Sequence, residues 1–348
     1  MMESLGTKRY PSPGSPTISV VTTTYTLDRM DDVKELLVSL HNQTYPALEI
    51  LFVGERHPEL CQLVAEYGIS IGMDNLRTVF NDGTPGLSPA RNLGANSANG
   101  EIIAFIDDDA IAMPDWLEQM VSVLIQNPEA IGVGGSALPK WEEEQMNWLP
   151  REFYWMISCP VPEWTGASRV KPVRNAWGVN MAFRREAFVV TGFSEDFGVS
   201  NQGMSSGIKL AIQADDTEFC VRLRKETERP ILFNPMSKVL HKIRKDRLTP
   251  RFTNRQAFWD GYGKATLGRM FNSDVGGKTR FRLSNEMTFL TRLLFPFLPK
   301  LLFTFLVKPK TGFKRLLLMV GVLGHGFLGY VSGRFGRVGG VLVKRYSK

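Results

Sequence analysis

An α/β fold with a doubly wound, mostly parallel sheet is the architecture this sequence predicts, on three observations. Short apolar, β-branched runs alternate with segments of helical periodicity from Ile18 to Gly134, the pattern of right-handed βαβ units. The run Ile102–Ile106 ends in three consecutive carboxylates, Asp107, Asp108 and Asp109, at the strand end where open α/β sheets bind ligands. No G-x-G-x-x-G loop is present, which argues against a dinucleotide dehydrogenase on the same kind of sheet.

Ile18–Tyr25 (ISVVTTTY) reads as the first strand. Met30–Gln43 carries Val33, Leu36, Leu37 and Leu40 at helical spacing and predicts an amphipathic helix. Leu48–Val53 is a second strand, Glu59–Tyr67 a helix ended by Gly68, and Leu76–Phe80 a third strand. Ser88 followed by Pro89 has the form of an N-cap and a first-turn proline, so Pro89–Asn99 is expected to be helical. Pro114 and Asp115 open a helix with Trp116, Met120, Val123 and Leu124 on one face, and Ala130–Gly134 resumes a strand.

Beyond Gly134 the texture changes. Trp141–Trp164 is rich in aromatics and proline, either a cover over a pocket or an irregular packing segment. Asn175–Phe188 predicts a strand leading into a short helix, and the Gly- and Ser-rich Ser194–Ala211 a mobile loop. Asp215 and Asp216 open a helix, a place where the dipole alone favours carboxylates. Ile231–Phe233 and Val239–Leu240 are two last short strands, followed by His241. Residues 1–17, polar and rich in Ser and Pro, are expected to be a disordered lead. Cys61, Cys159 and Cys220 lack metal-ligand spacing and fit free thiols in a reducing compartment.

The net charge of +7 hides a division. Residues 238–348 hold 23 Lys or Arg against 4 Asp or Glu, a surplus of +19, while residues 1–237 hold 19 against 31, or −12. A catalytic body with a basic tail that meets something anionic follows from this. Phe289–Val307 is almost entirely Leu and Phe but is interrupted by Arg292, Pro296, Pro299 and Lys300; Leu316–Gly333 is an uncharged run of 18 residues between Lys314–Arg315 and Arg334. Such broken, glycine-containing segments with basic flanks predict a re-entrant or interfacial hairpin on an anionic membrane surface. Nucleic-acid binding is not expected, because the cations alternate with long apolar runs rather than with isolated stacking aromatics.

Three adjacent carboxylates repel one another, and a bound cation is the simplest remedy; standing alone, they would read as a solvated turn. Their context decides otherwise. TTTY after the first strand, ARNLGANSANGEIIAFIDDDA and ADDTEFCVRLR, in this order, resemble the family-2 glycosyltransferases of the GT-A fold over about Ile18 to Gly263. The resemblance implies a catalytic domain over 18–285, with a nucleotide-binding half at 18–110 and an acceptor half at 111–285, before a membrane-associating region at 286–348. It further implies that Asp107 and Asp108 lie at the nucleotide and that Asp109 holds a divalent cation, Mg²⁺ or Mn²⁺, on the diphosphate of a UDP-sugar. Thr22, Thr24 and Tyr25 match the segment lining the nucleotide, and Arg91 the basic residue of A-R-N-x-G. The family usually carries an aspartate after its second strand; here VGER offers only Glu55. His241 matches a histidine near the metal or diphosphate, with Lys242 and Arg244 as helpers, and Trp177, Gly178 and Asn180 match the donor-sugar region.

The pair Asp215-Asp216 matches the family's acidic dyad, which makes Asp216 the expected general base and Asp215 or Glu218 its orienting partner. Physical chemistry fits that role: inverting transfer needs a carboxylate to take the acceptor hydroxyl's proton, and adjacent carboxylates raise one another's pKa. More narrowly, WGVNMAFRR, ADDTEF and the glycine-rich apolar C-terminus look like the archaeal glucosyl-dolichyl-phosphate glucuronosyltransferases of N-glycosylation. That similarity implies UDP-glucuronate as donor, a lipid-linked (dolichyl or polyprenyl phosphate) sugar as acceptor, and a place on the cytoplasmic face of the cell membrane. The alternatives are a transferase building another cell-envelope polysaccharide or glycolipid, and a sugar-phosphate nucleotidyltransferase, for which TTTYTLDR lacks the phosphate-loop glycines.

Overall fold

Apolar side chains fill every position of Ile102–Ile106 and of Ile50–Val53, and all are buried. Strands with no polar face fold at the centre of a sheet covered on both sides. The computed structural model describes residues 14–162, 168–195, 214–272 and 283–335. The chain divides into two compact units. The first is Met1–Leu138 with Ala167–Lys209 and Asp215–His241; the second is Pro139–Gly166, Leu210–Ala214 and Lys242–Lys348. The division anticipated at residue 285 falls inside the second.

In sequence order the strands are β1 (Ile18–Thr24), β2 (Glu49–Glu55), β3 (Leu76–Asn81), β4 (Ile102–Ile106), β5 (Ala110–Ala112), β6 (Gly132–Trp141), β7 (Lys171–Val173), β8 (Asn180–Arg184) and β9 (Ile231–Ile243). They form one sheet in the order β3-β2-β1-β4-β8-β6-β9-β5, with β7 on β9. The first four are parallel and are linked by helices α1 (Met30–His41), α2 (Glu59–Ser70) and α3 (Leu87–Ser97), the predicted βαβ series. Helix α4 (Trp116–Gln126) leads to β6. From β8 onward the sheet is extended by antiparallel strands.

Several elements differ from the sequence reading. Helix α2 continues past Gly68 to Ser70, and α3 begins at Leu87, so Ser88 lies within it. The two short strands expected after Arg229 are one 13-residue strand that runs through Pro235. Thr17, in the expected lead, is held by its backbone N–H and hydroxyl on Glu101 Oε2 at 2.8 and 3.2 Å. The predicted loop 194–211 lies outside the described residues beyond Glu195.

Beneath the sheet, Phe105, Phe183, Phe188, Phe193 and Phe219 form one aromatic cluster, with Phe193 and Phe219 stacked at 4.3 Å between centroids. Phe219 belongs to the helix Asp215–Thr227, so this packing fixes the start of that helix and the two aspartates on it. Aromatic pairs of this kind add about 0.5–1.5 kcal/mol beyond their burial.

In the second unit, Glu144–Trp148 and Arg151–Ile157 are 3-10 segments. Phe153 packs edge-on against Phe289 and Phe297 at 5.6 and 5.4 Å, so this stretch is a packing segment for the apolar helices. Those helices run Ser284–Arg292 and Leu298–Val307, joined by a π-helical turn at Leu293–Phe297 that absorbs Pro296, and then Pro309–Phe335. Glu286–Val307 and Pro309–Phe335, at 22 and 27 residues, are long and apolar enough to cross a membrane. The glycines that made the second run look unsuited to spanning have a packing role. A Cβ on Gly329 would lie 1.9 Å from the Phe258 carbonyl, and one on Gly261 would lie 2.1 Å from the Gly326 carbonyl. The helix Pro309–Phe335 thus meets the helix Pro250–Asn272 backbone to backbone along a glycine seam, the device by which helices pack closely in lipid.

Candidate active site

Strand register brings the predicted residues together. Because β1 and β4 are parallel, Thr24 and the Asp107–Asp109 turn leave the sheet at the same edge. The antiparallel pairing of β5 with β9 sets Ala110 opposite His241, which places the imidazole beside the turn. The Ala110 N–H donates to the Asp107 carbonyl at 3.1 Å, so the turn is tight and its three side chains spread to different partners.

Asp108 and Asp109 share one arginine. Arg29, at the end of a 3-10 turn after β1, pairs directly with Asp108 and lies 3.4 Å from Asp109 Oδ2. Asp108 also accepts from the Thr24 hydroxyl, and Asp109 Oδ1 lies 3.1 Å from His241 Nε2. Burial and the neighbouring Asp109 push Asp108 up to about 6 against the pull of Arg29. Burial works against the Arg29 charge, yet Asp108 and Asp109 raise its pKa above the ordinary arginine value.

Asp107 turns the other way, to Arg91. The Arg91 guanidinium bridges Asp107 Oδ1 at 3.1 Å and Asp215 Oδ2 at 2.8 Å and lies over the Phe193 ring. Gly178 makes room for it, since a Cβ there would be 2.3 Å from Arg91 Nη2. The Gly178 N–H donates to Asp216 Oδ2 at 3.2 Å, and the Thr217 hydroxyl reaches Asp216 Oδ1 at 3.2 Å. Burial, followed by the charge of Asp215, pushes Asp216 up to about 6, with Arg91 pulling the other way. Two arginines therefore neutralise the acidic turn, the part the sequence reading gave to a cation alone.

The remaining predicted residues are distributed less uniformly. Tyr25 is exposed, with Arg29 and Arg56 near its ring at 5.9 and 5.3 Å. Thr22 is buried and its hydroxyl has no hydrogen-bond partner. Glu55, expected at the nucleotide, is buried and takes the Gly86 N–H at 2.7 Å and the Asn81 amide at 3.5 Å. Its oxygens hold the loop before α3. Asn180, expected at the donor sugar, is 0% exposed. It donates to the Ser136 and Ser237 carbonyls and accepts from Trp116 Nε1 at 2.8 Å, so its amide ties strands together. Lys242 and Arg244 belong to the second unit; Lys242 is half-buried and Arg244 exposed.

Sequence reasoning missed Arg29 and Arg56. Arg29 stands at the N-terminus of α1, where the dipole disfavours a cation; that misplacement was the available signal for a distant carboxylate partner. Arg56 has a φ of 67°, a left-handed conformation rare for a side chain of its size, and no sequence signal announces it.

Chemically, the arrangement offers a carboxylate poised to take a proton, Asp216, and an acidic turn with cationic partners suited to polyanions. For a metal, the oxygen of Asp109 and the nitrogen of His241 are the donors Mg²⁺ or Mn²⁺ would accept. Among the described residues no group of three or more His, Cys, Asp or Glu is gathered to hold a metal.

Comparison with known proteins identifies the family. A family model described as "Glycosyl transferase family 2" matches residues 19–190. The chain is 31% identical over 255 residues to a glucosyl-dolichyl phosphate glucuronosyltransferase of Haloferax volcanii, covering 73% of this chain and 78% of that protein. It is 24% identical over 266 residues to the uncharacterized glycosyltransferase EpsJ of Bacillus subtilis, covering 72% of each. In structure it is similar to the mannosyltransferase PcManGT of Pyrobaculum calidifontis, in complex with GDP-Man and Mn²⁺. The TM-score is 0.59 at 19% identity, over 94% of this chain and 89% of that one, a likeness of GT-A-like fold. With 31% identity over 78% of the Haloferax protein, and a family model over residues 19–190, this chain belongs to the family-2 glycosyltransferases.

Proposed function

We propose that the protein is an inverting transferase that moves a sugar, glucuronate first among candidates, from a UDP-sugar to a lipid-linked sugar on dolichyl or polyprenyl phosphate. The observation that carries the reaction class is Asp216. It is a carboxylate pushed up to about 6, oriented by the Gly178 N–H, and linked through Asp215 and Arg91 to the acidic turn. The acceptor oxygen attacks the anomeric carbon as its proton passes to Asp216, and the bond from that carbon to the diphosphate breaks on the opposite side. Arg91, bridging Asp107 and Asp215, holds the two ends of the site in register. A divalent cation on Asp109 and His241 would supply Lewis-acid neutralisation of the departing diphosphate. Thr22, Thr24 and Tyr25 line the nucleotide in this reading.

The lipid acceptor is supported by the Haloferax relative's name and by the two apolar helices. On their surface Leu294, Phe295, Leu302, Phe303, Leu306, Phe313, Leu317 and Phe327 are all exposed, and Lys308, Lys310, Lys314 and Arg334 flank the apolar runs. We place the catalytic unit on the cytoplasmic side, where nucleotide sugars are made. Transfer from a panel of UDP-sugars to glucosyl dolichyl phosphate, with Mn²⁺ or with a chelator, tests the proposal. Product with UDP-glucuronate that disappears on chelation supports it; product only from another nucleotide sugar or a soluble glycan would redirect it. Removal of 286–348 is expected to release the protein from membranes, and a truncated chain that still sediments with them would count against the lipid reading.

A further inference from the structure

In this structure the carboxylates Asp108 and Asp109 already have a cation, Arg29. Its guanidinium pairs with Asp108 and lies 3.4 Å from Asp109 Oδ2, while Asp109 Oδ1 faces His241 Nε2 at 3.1 Å. Both aspartates are buried, whereas the Arg29 side chain keeps 22% of its surface exposed. The carboxylates are therefore fixed and the arginine has room to leave. Arg29 also sits at the positive end of the α1 dipole, with Asp31 and Asp32 in the first turn of that helix. Without its two distant partners, that position is unfavourable for a cation.

We infer that Arg29 is a positioning residue that occupies the place of the divalent cation in the donor-free enzyme and gives up Asp109 when the cation arrives with its nucleotide diphosphate. The inference rests on the reading of Asp109 and His241 as a metal site. In the resting state the arginine keeps two adjacent buried carboxylates from repelling each other, which preserves the geometry of the turn. A metal ion alone must displace this internal competitor and so binds weakly. A metal ion accompanied by a diphosphate gives the displaced guanidinium a new anionic partner, so the two ligands bind better together than apart. The consequence is a site that stays closed to stray cations and assembles only around a charged donor.

The test uses the full-length chain in detergent and follows free Mn²⁺ by electron paramagnetic resonance, with and without saturating UDP. The proteins are the wild type, Arg29→Met, which keeps length but not charge, and Arg29→Lys, which keeps charge. Arg29→Met is expected to bind Mn²⁺ without UDP roughly tenfold more tightly than the wild type, because a competing cation has been removed at close range. Arg29→Lys is expected to stay near the wild type, and the gain in Mn²⁺ affinity conferred by UDP is expected to shrink in Arg29→Met. A merely structural arginine would not yield tighter metal binding when removed. Mn²⁺ affinity that is unchanged or lower in a folded Arg29→Met protein, with the wild type binding Mn²⁺ in the presence of UDP, would overturn the inference alone. Absence of Mn²⁺ binding in all three proteins, with and without UDP, would overturn it together with the metal reading beneath it.

Discussion

Carboxylates stand at the amino end of the parallel strands and in the candidate site beyond their carboxyl end, and the two places treat them in opposite ways. At the amino end of β2, Glu49 takes the Ser19 hydroxyl at 2.8 Å, the Asn99 N–H at 2.5 Å and the Asn99 amide at 3.1 Å, and pairs with Arg77. Burial alone would push Glu49 up, but these bonds, led by Ser19, hold it below its ordinary value. In the candidate site, burial pushes Asp108 and Asp216 up to about 6, and nearby arginines reverse this only in part. A carboxylate surrounded by donors is a structural part with no proton to exchange near neutrality. A carboxylate whose burial outweighs its donors, beside another carboxylate, is available for a ligand or a proton. Under the proposed function, one end of the sheet serves stability and the other reactivity.

The largest effect that would break this contrast is on rate. Asp216→Asn is expected to lower turnover by about 10²–10⁴-fold, the usual contribution of a positioned general base, with the fold intact; Glu49→Gln should leave the turnover of folded enzyme unchanged. Steady-state kinetics on both variants checks this, and a large loss in the Glu49 variant would erase the distinction. The next effect is on pH dependence. Asp216 must be ionised to act, and its value is raised to about 6, so turnover should fall about tenfold per pH unit below that point. A pH–rate profile flat down to pH 5 would remove Asp216 from the role of base.

Stability comes third. Glu49→Gln is expected to cost about 1–3 kcal/mol, the range for leaving buried hydrogen-bonding groups mispaired, as read by denaturant unfolding. Smallest is the pH dependence of that stability. Because the folded value of Glu49 is depressed, its contribution is present above the unfolded value of about 4.5 and is lost as pH falls through the folded one. Asp216, with its value raised, has the opposite sign: its ionisation costs stability as pH rises. Activity and fold should therefore separate on acidification, leaving a window near pH 5 in which the protein is folded and turnover is down about tenfold. Circular dichroism beside activity across pH 4–7 would show it.

How much of this was legible in the sequence depended on distance along the chain. The parallel half of the sheet follows local periodicity, and α1 with its buried Val33, Leu36, Leu37 and Leu40 falls within two residues of the helix expected. Asp107–Asp109 and Asp215-Asp216 were legible because each is a carboxylate cluster at the edge of a periodic element. His241 was legible through resemblance, and the β5–β9 register shows how it reaches the turn. The partners were not legible. Arg29 meets Asp108 across 79 residues and Arg91 meets Asp215 across 124, and no local pattern encodes a pairing at such separations. Asn180 is expected at the donor sugar through the resemblance alone, and the structure gives its side chain three internal bonds. The two short strands expected at Ile231–Phe233 and Val239–Leu240 are one, and it carries Pro235 within it. The glycine seam of the apolar helices was hidden because a glycine's value there depends on a neighbouring backbone that the sequence does not display.

The central claim is that the acidic turn binds the donor through a cation while Asp216 performs the proton transfer. Calorimetric titration of UDP with Mn²⁺ into the wild type, Asp109→Ala and Asp216→Asn tests it most directly. The account predicts metal-dependent binding in the wild type, its loss in Asp109→Ala, and its retention in an Asp216→Asn protein that no longer transfers sugar. Binding retained by Asp109→Ala, or lost in a folded Asp216→Asn protein, would contradict it.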